Sequence, residues 1–219
     1  MRTIFEILQE AKDDNLHEFI QYIIDHGKQG ELRAPKEDIG ETLYRVKNIM
    51  DHRDFHDIFL SKVSLYQTIF KVKRSDIDIE DFVSWAETWA RDEILKYLKL
   101  NNHNCIYVER AIVIPHFANK DRLYKWYKYD YRGHLGDCWS YKEGTAFPYD
   151  AENKPGETII LKGYVDPFDV DWDETVARCL LYTDEFELTL EHGGEIQLTE
   201  IVTKKGNHRI FTGNLLMKI

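Results

Sequence analysis

The sequence predicts an α+β fold, with an all-helical N-terminal region over residues 1–100 and a strand-rich region over 101–219. Three observations carry that reading. Before residue 100 the apolar residues recur every three or four positions, the period of a helix with one buried face. Asn101-Asn102-His103-Asn104 then interrupts the pattern with four polar residues. Beyond it, aromatic, glycine and β-branched residues rise, and short alternating runs replace the helical ones.

Taken in order, Ile4, Ile7, Leu8 and Ala11 share one helical face, and Leu16, Phe19, Ile20, Ile23 and Ile24 repeat the pattern. Asp13, Asp14 and Asn15 offer the second helix a start, and Gly27 and Gly30 a stop. Ala34-Pro35 opens a third, with Ile39, Leu43, Val46 and Ile49. A fourth carries Phe55, Ile58, Phe59, Val63, Tyr66 and Phe70 and ends near Lys73. Asp78 caps a long fifth, with Phe82, Trp85, Ala86, Trp89, Ile94, Leu95 and Leu98 facing inward. Strands are expected at 105–114, 158–165, 185–191, 195–203 and 208–212, with turns at Gly193-Gly194 and 204–207. Helices are expected at 119–129 and from Asp171 to Leu181, where Asp171 and Glu174 stand at capping spacing.

Composition excludes several classes. A 219-residue chain with 43% hydrophobic and 31% charged residues is long enough for a sizeable core, and no apolar run approaches the length that spans a bilayer. Met1 to Glu10 mixes charge into its apolar residues, unlike a signal peptide, so the expectation is a cytoplasmic protein without a membrane partner. Cys105, Cys138 and Cys179 are dispersed and odd in number, which suggests reduced thiols. A net charge of −10 opposes the cationic surplus that binds nucleic acid, although Lys120, Arg122, Lys125 and Lys128 lie among Tyr124, Trp126 and Tyr127. His52 and His56, one helical turn apart, lack a third ligand, and no metal is expected.

Two residue patterns bear on chemistry. In Tyr182-Thr-Asp-Glu185-Phe-Glu187-Leu-Thr-Leu190, alternation places Phe186, Leu188 and Leu190 on one face and Glu185, Glu187 and Thr189 on the other. Two carboxylates two residues apart on a strand then stand about 7 Å apart on one side; solvation of an outer strand face explains the same pattern. Arg110, in a strand over 105–114, shares a face with Ile106, Val108, Ile112 and Ile114. A guanidinium there is costly unless an anion or several acceptors satisfy it. An ion pair with Glu109, a snorkelling side chain or a bulge would serve equally.

Arg110 within 105–114, Ser140 within Leu135-Gly-Asp-Cys-Trp139-Ser140-Tyr and ahead of Ala146-Phe-Pro-Tyr149, and Tyr182-x-x-Glu185-x-Glu187 follow one another along residues 104–203. Together they resemble the Arg…Ser…Glu-x-Glu signature of the mono-ADP-ribosyltransferases, including toxin-like bacterial or phage members. The connector Gly163-Tyr-Val-Asp-Pro-Phe-Asp-Val-Asp171-Trp172 resembles its counterpart in bacterial members. The chain departs from the family in the middle motif, where Trp139-Ser140-Tyr141 stands in place of the frequent Ser-Thr-Ser.

The resemblance implies a compact split-sheet catalytic domain that cleaves NAD at the nicotinamide–ribose bond and transfers ADP-ribose to an acceptor. It implies Glu187 as the catalytic carboxylate, Glu185 as the residue that positions or deprotonates the acceptor, and Ser140 as the partner that hydrogen-bonds Glu187. Arg110 would brace NAD, Trp139 and Tyr149 would contact it, and Tyr182 would face the acceptor. A protein arginine is the first acceptor suggested, and the helical region would meet an antitoxin or host partner. Three alternatives stay open: a non-catalytic interaction module on the same fold, an NAD glycohydrolase, and a nucleic-acid ADP-ribosyltransferase.

Overall fold

The computed structural model describes residues 2–11, 53–114, 136–146, 157–181, 186–191, 195–203 and 208–218. The expected helices over 16–24, 34–49 and 119–129, the turns at 193–194 and 204–207, and the side chains of His52 and His56 lie outside the residues so described. The fold is α+β.

Contacts divide the chain into two units, one of residues 1–96 with 172–184, the other of 97–171 with 185–219. The expected single cut near residue 100 is thus replaced by a discontinuous division, because the helix after residue 171 groups with the N-terminal helices.

In the first unit, helix α1 (Ile4–Glu10) starts at a capping box: Glu6 N–H donates to Thr3 Oγ1, and Thr3 N–H to Glu6 Oε2. Helix α2 (Arg53–Phe70) and helix α3 (Ile79–Tyr97) follow. As expected, Asp78 caps α3, accepting from the backbone N–H groups of Glu80 and Asp81 at 3.0 and 3.2 Å. Phe82, Ala86, Ala90 and Ile94 recur every four residues along α3 and are buried. Phe82 sets its ring edge-on against Tyr66 of α2, 5.0 Å between centroids. Trp85, Trp89 and Leu95, expected inside, are only partly covered.

The second unit is built on a seven-stranded antiparallel sheet: β1 (Ile106–Ile114), β2 (Cys138–Ser140), β3 (Glu157–Val165), β4 (Val170–Asp171), β5 (Glu187–Leu190), β6 (Glu195–Thr203) and β7 (His208–Lys218). The five expected strands are present, with β7 longer than foreseen. β2 and β4 are additional; three and two residues are too few to show a period. Helix α4 (Trp172–Leu181) links β4 to β5.

Strand order is β4-β5-β2-β1-β3-β6-β7. β1 pairs with β3 along its whole length, but with β2 at one register position, Glu109 opposite Ser140. Instead of a fully split sheet there is one ladder, pinched between three strands and four. No helix among the described residues is long and apolar enough to cross a membrane.

Candidate functional site

Strand pairing around the pinch defines two neighbouring rows on opposite faces of the sheet. Glu187 pairs with Ser140, Ser140 with Glu109, Glu109 with Lys162 and Lys162 with Glu200. Directly opposed residues point to the same side, so this row is polar throughout, with strands about 4.8 Å apart. One residue along lie Leu188, Trp139, Arg110, Leu161 and Ile201, on the other side. Leu188, Trp139, Leu161 and Ile201 are all buried.

Ser140 and Glu187 are thus brought together as cross-strand partners. Glu187 is partly exposed, whereas Ser140 retains 8% of its accessible surface. Among the described residues the Ser140 hydroxyl is engaged with Thr145 Oγ1 and, at 3.2 Å, the Lys142 carbonyl. The bond from Ser140 to Glu187 that the resemblance implied is not among its hydrogen bonds, because the turn after β2 folds back and supplies nearer partners.

Arg110 lies on the apolar row, as alternation predicted, and is half-buried. Its guanidinium crosses the pinch and donates to the main-chain carbonyl of Cys138, two residues before Ser140 on β2. It rests against Gly136, whose backbone is left-handed at φ +79° and where a Cβ would collide with the guanidinium. The Arg110 Nε hydrogen is buried without an acceptor among the described residues. Of the alternatives for Arg110, the ion pair with Glu109 does not form, since adjacent strand residues point to opposite faces. The register therefore does not put Arg110 on the face shared by Ser140 and Glu187.

Trp139 departs from expectation as well. It is 1% exposed, and its Nε1–H donates to the Gly136 carbonyl at 3.0 Å, so its ring belongs to the core and is not presented to a dinucleotide. Tyr149, Tyr182 and Glu185 lie outside the described residues.

The alternation expected through Glu185-Phe186-Glu187 stops at Phe186, which adopts φ +51° immediately before β5. Left-handed backbone at a bulky residue is an outlier, and β5 begins only after it, at Glu187. Packing compensates. The Phe186 ring meets Tyr97 at 4.9 Å and Tyr141 at 6.0 Å, and Lys142 Nζ lies 3.7 Å from its centroid. The Phe186 carbonyl also accepts from Tyr141 N–H at 2.9 Å.

Glu109 is the residue sequence reasoning missed. Its side chain is buried, 1% exposed, with Oε1 accepting from Ala146 N–H and Oε2 from the Tyr107 hydroxyl, both at 3.0 Å. Burial, and then the Glu109 carboxylate, push the Tyr107 phenol far above its ordinary value. The signal was available in the strand's parity: Tyr107 and Glu109 occupy the positions that alternate with Arg110.

No protein-family model, curated protein or solved structure matches this chain.

Proposed function

We propose that this chain is an NAD-dependent mono-ADP-ribosyltransferase with Glu187 as its catalytic carboxylate. The observation that supports the reading is the direct pairing of Ser140 with Glu187 at the start of β5 on the polar face. Cleavage of the nicotinamide–ribose bond develops oxocarbenium character on the sugar. A fixed carboxylate bonded to the ribose 2′-hydroxyl strengthens that interaction as charge develops, which lowers the barrier by differential binding. The nicotinamide leaves as a neutral base and needs no acid. Glu185, the acceptor-side residue in this reading, would direct ADP-ribose toward a protein arginine.

A second reading, a non-catalytic interaction module, is favoured by one observation: Arg110 and Trp139 both side with the apolar row. Labelled NAD separates the two. The wild-type chain is expected to transfer label to protein, and Glu187→Gln to lose activity by about 10²–10³-fold with its fold unchanged. Transfer by the mutant at the wild-type rate would assign the chemistry elsewhere. A wild-type chain that neither releases nicotinamide nor transfers label would favour the module.

A further inference from the structure

We propose that Glu109 is a positioning residue for Ser140, acting through the turn at 141–146; the inference rests on the transferase reading above. The Ala146 N–H bond to Glu109 Oε1 fastens the end of that turn to β1. The preceding residue, Thr145, sets its hydroxyl 2.6 Å from the Lys142 carbonyl. The Ser140 hydroxyl also lies 3.2 Å from that carbonyl, and either hydroxyl can donate in the Thr145–Ser140 contact; whether Ser140 donates to Thr145 or to Lys142, its one proton stays within the turn. Ser140 therefore turns its remaining lone pair, and not its proton, toward a ligand. It meets the substrate as an acceptor for a ribose hydroxyl, beside Glu187 in the same row.

A carboxylate suits this task because it holds two donors at once. Tyr107 fixes one oxygen and Ala146 the other, and with 1% exposure neither bond competes with water. Tyr141, Lys142 and Glu143 anchor the start of the turn through Phe186 and Lys99, so loss of the Glu109 bond releases its far end, where Thr145 meets the serine hydroxyl. A misplacement of about 1 Å can cost on the order of 10²-fold in rate.

The test combines amide hydrogen exchange with NAD-cleavage kinetics on the full chain. Glu109→Ala is expected to accelerate exchange at Ala146 and to lower kcat by about 10²-fold, with KM for NAD little changed. Glu109→Gln, whose amide oxygen still accepts from Ala146, is expected to restore kcat to within a few-fold. Adding Ser140→Ala to Glu109→Ala should cost little more, since both act through one hydroxyl. Should Glu109→Ala fail to fold, Thr145→Val breaks the same relay beyond Glu109 and should show the same kcat loss. Additive losses in the double mutant, or unchanged exchange at Ala146, would overturn the positioning role. A wild-type chain that cleaves no NAD would sink the transferase reading and the catalytic part with it, while the exchange measurement still judges the fastening.

Discussion

The two rows that cross the pinch differ by one residue of strand parity and by almost everything else. Glu187, Ser140, Glu109, Lys162 and Glu200 form a row in which every side chain hydrogen-bonds or carries charge. Leu188, Trp139, Arg110, Leu161 and Ile201 form a row in which Arg110 is the one charged member. The same five strands thus offer a chemically equipped face and a dry one. Motif spacing alone does not say which face a residue joins. Arg110 carries the more informative side chain in the sequence, yet Glu109 is the residue aligned with Ser140.

The largest effect that could break this comparison comes from Arg110. If its guanidinium fastens β1 to the Cys138 carbonyl, Arg110→Ala should cost about 2 kcal/mol in urea-unfolding experiments, the usual range for a charged hydrogen bond. KM for NAD should stay nearly unchanged. A tenfold rise in KM with stability intact would move Arg110 to the substrate side.

A somewhat smaller effect is expected at Gly136. An alanine there must adopt φ +79° and meets the guanidinium, so a loss of about 1–2 kcal/mol is expected. The loss should shrink in an Arg110→Ala background, because the collision partner is gone. Equal losses in both backgrounds would mean that the backbone angle alone is responsible.

The smallest effect sharpens the polar row. The Tyr107 phenol is raised above its ordinary 10.0 in the folded chain, by burial first and by Glu109 second. The stability this contributes is complete below pH 10.0 and is lost as pH climbs above it toward the folded value, because the unfolded phenol ionises first. Tyr107→Phe should cost about 1 kcal/mol at neutral pH. Its alkaline decline should be shallower than that of wild type in pH-dependent unfolding. Parallel declines would mean that the folded chain does not raise the phenol at all.

Much of the scaffold was legible in the sequence, for reasons particular to each element. The four-residue spacing of Phe82, Ala86, Ala90 and Ile94 marks α3, and alternation along β1 placed Arg110 on the correct face. The short strands escaped notice because β2 and β4 are held by pairing with β5 and not by any period of their own. The candidate site was half legible. Ser140 and Glu187 were named and do pair, but their row partner depends on register between distant segments, which a linear pattern does not encode. The left-handed backbone at Phe186 was not legible either, since contacts with Tyr97, Tyr141 and Lys142 outweigh local backbone preference there.

The left-handed turn at Phe186 has a further consequence for how such a chain can diverge. A strand that continued unbroken through residue 186 would transmit every upstream insertion to Glu187 as a change of face. Here the aromatic seat resets the chain's direction immediately before β5, and pairing with β2 then fixes Glu187 independently. The position of Glu187 is thereby decoupled from the sequence that precedes Phe186, and the carboxylate keeps its address.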